Sequence, residues 1–216
     1  MKKVSAKEAV AGIKDGAVLM VGGFMGCGTP ENIIDAIVEK APKNLTIIAN
    51  DTAMPGKGIG KLVDAGLVKN VIATHIGLNP TVGQLMNAGT INVTLVPQGT
   101  LAEQIRAGGF GLGGILTPTG VGTEVAQGKE VIQVDGRDYL LEKAIKADFA
   151  IIGATIADES GNLYFQATTK NFNPVMAMAA DCVIAGAEKI VPVGEIIPEH
   201  VHMPAMFVDF LAGGEQ

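Results

Sequence analysis

The chain has 216 residues, with 16 Lys+Arg against 22 Asp+Glu and a formal net charge of −6, a length that suits one or two α/β layers around a single core. At 48% hydrophobic and 18% charged residues it can bury a sizeable core, which excludes wholesale disorder, and with no Lys/Arg run to neutralise phosphates it is not built for nucleic acid. The unusual count is glycine, 29 residues, about twice the ordinary share and without a collagen-like period, which means many tight turns or backbone brought close to something.

In chain order, Lys7 and Glu8 interrupt any signal-peptide core behind Met1, and no apolar stretch is long enough to span a membrane, so a cytoplasmic protein is expected. Residues 6–14 read as a helix. Residues 17–21 form a Val-rich apolar run read as a strand, followed by the glycine loop Gly22-Gly23-Phe24-Met25-Gly26-Cys27-Gly28. Thr29-Pro30-Glu31 then offers a hydroxyl N-cap, a proline at the first helical position and an acid in the first turn of a helix over 30–40. Strand, glycine loop and helix start together bring backbone N–H groups to the carboxyl edge of a sheet, where open α/β sheets bind ligands and anions are favoured.

A second strand over 45–49 runs into Asn50-Asp51-Thr52, placing amide and carboxylate groups on that same edge. Gly56-Lys57-Gly58-Ile59-Gly60-Lys61 looks like a phosphate loop, but its spacing is wrong and Leu62 stands where a metal-binding hydroxyl is needed. After a helix over 59–65, a strand over 71–74 ends at His75, either a structural or a functional histidine. A helix over 81–88 and a strand over 93–96 lead to Pro97-Gln98-Gly99-Thr100, with Thr100 expected to cap a helix over 101–107. Gln98 carries an NH₂ donor suited to a developing oxyanion. Asn50 and Gln98 either line a site or satisfy turn backbone.

Gly109-Phe110-Gly111-Leu112-Gly113-Gly114 matches the dinucleotide pattern in form only: it follows a helix and leads to no long helix. Residues 131–134 and 139–141 flank Asp135-Gly136 as a β-hairpin, and a second hairpin is expected at Asp158-Glu159-Ser160-Gly161-Asn162. Strands over 149–152 and 183–185 enclose a helix over 174–180, whose methionines read as core. His200 and His202, two apart, lack a third ligand and read as exposed polar residues; no metal is expected. Cys27 and Cys182 are expected as free thiols, and Cys27 has no neighbouring base. The strands lack clean alternation, as strands covered on both faces do. The expectation is one α/β domain over 1–216: an open, mostly parallel sheet, helices on both faces, added β-hairpins.

Several stretches resemble the first, alpha subunit of family I CoA-transferases. They are the run from Asp15 to Pro30 with its glycine-phenylalanine loop, Ile47 to Thr52, Pro97 to Gly109, Leu116 to Thr123, and Thr169-Lys170-Asn171-Phe172-Asn173-Pro174. The resemblance covers almost the whole chain in order. It implies an enzyme that moves CoA from an acyl-CoA to a free carboxylate through a glutamyl-CoA thioester. CoA is then a substrate, with no tightly bound cofactor, and the partners are acyl-CoA and a short carboxylic acid. In the family the glutamate lies in a Ser-Glu-Asn-Gly motif of the beta subunit. This chain has only the scrambled Glu159-Ser160-Gly161-Asn162, read as a turn, so activity is expected only with a beta subunit. The resemblance further implies that Gln98 supports the glutamate and its oxyanion, and that Asn50, Gly23, Phe24, Gly26 and Gly99 line the substrate side. Acetate or butyrate with acetoacetyl-CoA are the implied substrates, with succinate or 3-oxoadipate as alternatives. The rival readings are a catalytically idle α/β scaffold subunit and a stand-alone thioesterase or isomerase.

Overall fold

The computed structural model describes residues 1–213. The elements in order are β1 (Lys2–Lys3), α1 (Ala6–Ala9), β2 (Val18–Val21), α2 (Glu31–Lys40), β3 (Leu45–Ile48), α3 (Ile59–Asp64), β4 (Val68–Ala73), α4 (Pro80–Asn87), β5 (Asn92–Leu95), α5 (Gln98–Gly109), β6 (Gly114–Thr117), β7 (Val131–Val134), β8 (Arg137–Lys143), β9 (Ala147–Asp158), β10 (Leu163–Tyr164), α6 (Asn173–Ala177), β11 (Ala180–Val191) and β12 (Phe210–Gly213). Among the described residues, nine strands form one sheet in the order β1-β12-β11-β9-β2-β3-β4-β5, with β10 added to β9. Every pairing in it is parallel except β9–β10, and β6-β8-β7 make a separate antiparallel sheet.

Successive strand residues face opposite sides, and both sides are apolar. Leu19 and Val21 of β2 join Ile33, Ile34 and Ile37 of α2 and Leu62 of α3 in one core. Met20 of β2 joins Leu101 and Ile105 of α5 and Met176 of α6 in the other. Each large side chain withdrawn fully from water contributes roughly 1.5–3 kcal/mol, so the two layers account for helices as short as α3 and α6 that would not persist alone.

The second sheet is tied to α5 by a buried polar contact. The Glu142 carboxylate accepts from Gln104 Nε2 at 3.2 Å and pairs with Lys129 Nζ at 2.6 Å. Both expected hairpins form. In the second, the Asp158 carboxylate accepts from the N–H groups of Ser160 and Asn162 and from both their side chains. Burial opposes its ionisation, but those four donors outweigh it and hold its pKa below the ordinary aspartate value. Glu159-Ser160-Gly161-Asn162 is therefore a turn wrapped around Asp158.

Three local expectations are corrected. Pro30, not Thr29, is the N-cap of α2; the Thr29 hydroxyl turns back to donate to the Gly22 carbonyl at 2.8 Å. The helix expected from 101 begins at Gln98, so Thr100 is a buried residue inside its first turn and caps nothing. The helix expected over 6–14 is four α-helical residues followed by a 3₁₀ turn at Val10–Gly12.

Candidate active site

The carboxyl ends of β2, β3, β4 and β5 lie side by side, and four loops leave from them. The parallel register sets Ile48 beside Ile72 and Ala73 beside Leu95, so the residues just beyond, Asn50, Thr74 and Gln98, come together. Asn50 is only 2% exposed. Its main-chain carbonyl accepts from the Thr74 N–H and hydroxyl, at 2.9 and 2.7 Å. Its Oδ1 accepts from Gln98 Nε2 at 2.7 Å.

Gln98 itself is exposed and is the first residue of α5. The first intrahelical bond there runs from the Leu101 N–H to the Pro97 carbonyl, 2.9 Å. The N–H groups of Gln98, Gly99 and Thr100 thus lie ahead of the ladder, where a helix favours negative charge. A Cβ on Gly99 would meet nothing within 4 Å, so packing within this chain does not require glycine there.

The glycine loop reaches this pair through Asp51. Its carboxylate points inward and accepts from the N–H groups of Met25 and Ala53, at 2.9 and 2.6 Å. Both of those residues are left-handed, φ +54° and +51°, a conformation that costs a non-glycine residue about 1–2 kcal/mol. The buried Asp51 carboxylate holds both residues in that conformation.

Residues 24–27 form a tight turn in which Phe24 and Cys27 exchange N–H···O bonds of 3.0 and 2.8 Å. The Gly23 N–H donates to Asn171 Oδ1 at 3.1 Å, so it is not free for a ligand. Glycine is needed at 23 because φ is +123° and a Cβ would sit 2.0 Å from Thr29 Oγ1. Among the described residues, the N–H groups of Gly26 and Gly28 have no partner between Gly22 and Thr29. Phe24 is 44% exposed at the tip. Lys57 lies along Gly26, its Cε 2.7 Å from where a Cβ would be.

The remaining candidates fall elsewhere. His75 is exposed and pairs with Asp51 through one β-bridge. His202, expected to be an exposed polar residue, is instead half-buried: it stacks on Tyr164 with ring centroids 5.0 Å apart, and its Nδ1 accepts from the Phe165 N–H at 3.1 Å. No cluster of three metal-ligating side chains occurs among the described residues, nor does any helix among them have the length and apolarity to cross a membrane.

Both nucleotide-like glycine patterns serve packing. The Gly58 N–H donates to the Glu31 carboxylate at 2.9 Å, and a Cβ on Gly60 would lie 1.9 Å from the Met54 carbonyl. Gly109 abuts Met178, and Gly114 abuts the Glu142 carbonyl. A cavity of about 480 Å³ opens at the start of α2, lined by residues including Ser5, Thr29, Asn32 and Gly186. Neither Asn50 nor Gln98 borders it, and the polar groups gather at the strand ends instead.

The two thiols differ. Cys27 is exposed at the loop, whereas burial, and then the Asp209 carboxylate, push Cys182 up to about 11. At pH 8 only about one Cys182 in a thousand is then thiolate, the form that reacts. Iodoacetamide at pH 8 is expected to add one carbamidomethyl group rapidly, at Cys27, read by peptide mass; comparable rates at both thiols would contradict this.

Sequence reasoning missed Asn171 and Asn173. Asn173 is fully buried, accepts from the Gly153 N–H at 3.1 Å and donates to the Gly28 carbonyl at 3.0 Å. The available signals were the place of both asparagines in the 169–174 stretch that carries the family resemblance, and two asparagines in three residues ahead of Pro174 on a segment with no apolar period.

An anion-favouring helix start, a paired Asn–Gln and a glycine turn thus meet on the carboxyl edge of a doubly covered parallel sheet. The pattern of the family described as Coenzyme A transferase matches residues 3–213, and the chain belongs to that family. It is 48% identical over 210 residues to the acetate CoA-transferase subunit alpha of Escherichia coli K12, covering 97% of this chain and 96% of that one. To the acetoacetyl-CoA:acetate/butyrate CoA transferase alpha subunit of Clostridium acetobutylicum it is 49% identical over 198 residues, covering 92% and 91%. An acyl-CoA transferase from E. coli O157:H7, solved as a thioester complex with CoA, superposes with TM-score 0.87 at 29% identity. That match covers 99% of this chain and 47% of the solved one, so this chain spans just under half of its length.

Proposed function

We propose that this chain is the alpha subunit of a two-chain CoA-transferase that moves CoA between acetoacetyl-CoA and acetate or butyrate. The observation that carries the reading is the 2.7 Å contact between Gln98 and Asn50 at the start of α5. It occurs in a chain whose relatives of nearly equal length are alpha subunits of such enzymes.

In this reading the nucleophile is a glutamate of a beta subunit, carried in a Ser-Glu-Asn-Gly motif. Its carboxylate adds to the thioester carbonyl of the acyl-CoA, and CoA leaves as thiolate to give a mixed anhydride. The thiolate then adds to the glutamyl carbonyl, releasing the carboxylate and leaving the glutamyl-CoA thioester. An incoming acetate or butyrate reverses the two steps. Each addition places negative charge on a carbonyl oxygen.

One N–H of Gln98 is held by Asn50, which leaves the second N–H of this exposed amide as the donor such an intermediate needs. Gly26 and Gly99 supply further N–H groups and room. Phe24 supplies an apolar wall, and Gly23 supports the turn without touching substrate. CoA enters and leaves as substrate, with no resident cofactor, and the compartment is the cytoplasm, where CoA thioesters are made.

The test is reconstitution. Acetoacetyl-CoA and labelled acetate or butyrate should yield labelled acyl-CoA only when this chain is co-purified with a Ser-Glu-Asn-Gly partner. Transfer or acyl-CoA hydrolysis by the chain alone would overturn the reading.

A further inference from the structure

The stretch from Thr169 to Pro174 has no part in the chemistry above, yet it reaches across the molecule to the glycine turn. Asn171 lies 148 residues from Gly23 and accepts its N–H at 3.1 Å through Oδ1, while its Nδ2 donates to the Cys27 carbonyl at 3.0 Å. One side-chain amide therefore grips both ends of the turn whose tip is Phe24-Met25-Gly26. The same Nδ2 lies 3.0 and 3.2 Å from the carbonyls of Thr168 and Thr169, which hold the amide in plane. The Asn171 backbone is at φ +22°, a conformation that asparagine accepts more readily than most residues.

From the opposite side the turn is held by Asp51 at the Met25 N–H, and Asp51 adjoins Asn50, the partner of Gln98. The turn is thus clamped at both ends and at its middle. Within that clamped turn the Gly26 N–H is left without a partner among the described residues.

We infer that Asn171 is a positioning residue for CoA transfer, one that acts by setting the orientation of the Gly26 N–H and the Phe24 wall against Gln98 and Asn50. The inference rests on the reading of the site given above. A donor displaced by about 1 Å costs on the order of 10²-fold in rate, because the oxyanion it serves has a fixed position.

Two variants test it, each co-purified with the beta subunit. Asn171→Gly removes the amide but keeps a backbone free to adopt positive φ. Asn171→Asp keeps the acceptor for Gly23 and loses the donor to Cys27. The expected result is a fall in kcat per assembled complex of roughly 10–100-fold for Asn171→Gly, with KM for acyl-CoA within about twofold, and a fall at least as large for Asn171→Asp, whose carboxylate would face the Cys27, Thr168 and Thr169 carbonyls.

Amide hydrogen exchange of the isolated chain should rise across residues 23–27 in Asn171→Gly and remain unchanged in β3 and β4. A merely structural role predicts lower yield or melting temperature with unchanged kcat in the complex that does assemble, and that result would overturn the inference. Unchanged exchange at 23–27 would overturn it too. If Asn171→Gly does not fold, Asn171→Asp decides by the same two readouts. An inactive wild-type complex would refute the transferase reading, and the clamp would still stand or fall by the exchange measurement.

Discussion

Replacing Gln98 by alanine is expected to lower turnover of the assembled enzyme by about 10²–10³-fold, the usual effect of deleting one oxyanion donor. Stability should barely move. The side chain is exposed, and Asn50 Oδ1 retains the Thr74 hydroxyl at 3.2 Å as a donor, so the fold should lose no more than about 0.5–1 kcal/mol. Steady-state kinetics beside a thermal melt separates the two effects. Gln98→Glu is the sharper variant. It keeps the shape but exchanges the donor for a carboxylate facing Asn50 Oδ1 and the incoming glutamate, so it should be at least as impaired as alanine. Unchanged turnover in either variant would remove Gln98 from the chemistry.

The second large effect concerns the helix that carries Gln98. Gly108 sits in the last turn of α5, where helix propensity alone predicts that alanine gains about 1 kcal/mol. The structure predicts the reverse. A Cβ at 108 would stand 2.0 Å from the carbonyl oxygen of Ile145 and 2.9 Å from its carbon. Ile145 cannot easily retreat, since its own N–H is bonded to the Gln104 carbonyl at 3.0 Å. Two stretches of main chain must separate, so Gly108→Ala should cost about 2–3 kcal/mol, the upper part of the overpacking range. In a chain of this size that lowers the melting temperature by roughly 4–12 °C. Gly83→Ala in α4 is the control: nothing lies within 4 Å of its Cβ position, and the same substitution should stabilise by up to about 1 kcal/mol. Opposite signs for one chemical change would show that contact, and not propensity, governs Gly108.

The two glycines also show where the sequence could be read and where it could not. Strands such as β2 and β3 announce themselves through Val, Leu and Ile, and the loops behind them carry Asn50 and Gln98 where functional groups are sought. Those features follow from local pattern, and the structure places them as expected. The strand expected over 149–152 continues to Asp158, and that over 183–185 runs from Ala180 to Val191. The added residues include Gly153-Ala154 and Gly186-Ala187, which carry no β-branched signal. Glycine is there because α2 begins almost on the sheet: a Cβ at 153 would lie 2.4 Å from the Gly28 carbonyl, and one at 186 would lie 2.5 Å from Pro30 Cβ. Such a reason is invisible until the elements are packed.

The site divides in the same way. Position along a strand brought Asn50 and Gln98 to one sheet edge, where the structure pairs them. It could not show that the Gly23 N–H is used by a residue 148 positions away, and it took Asp51 for an edge carboxylate when it is a buried brace. The glycine loop was visible as a turn, but no rule of spacing could supply the partners that shape it.

Those long separations have a consequence for how the protein is made. Strand β2 pairs with β9, and the turn that follows β2 is completed only by Asn171 and Asn173. Between synthesis of Gly28 and Asn173 the ribosome must add 145 residues, about 7–30 s at ordinary elongation rates. Throughout that interval the glycine turn lacks the two asparagine side chains that complete it. The turn is therefore completed only after β1 to β10 have been made, with β11 and β12 still to come, and truncation anywhere before residue 173 should leave a chain unable to complete it.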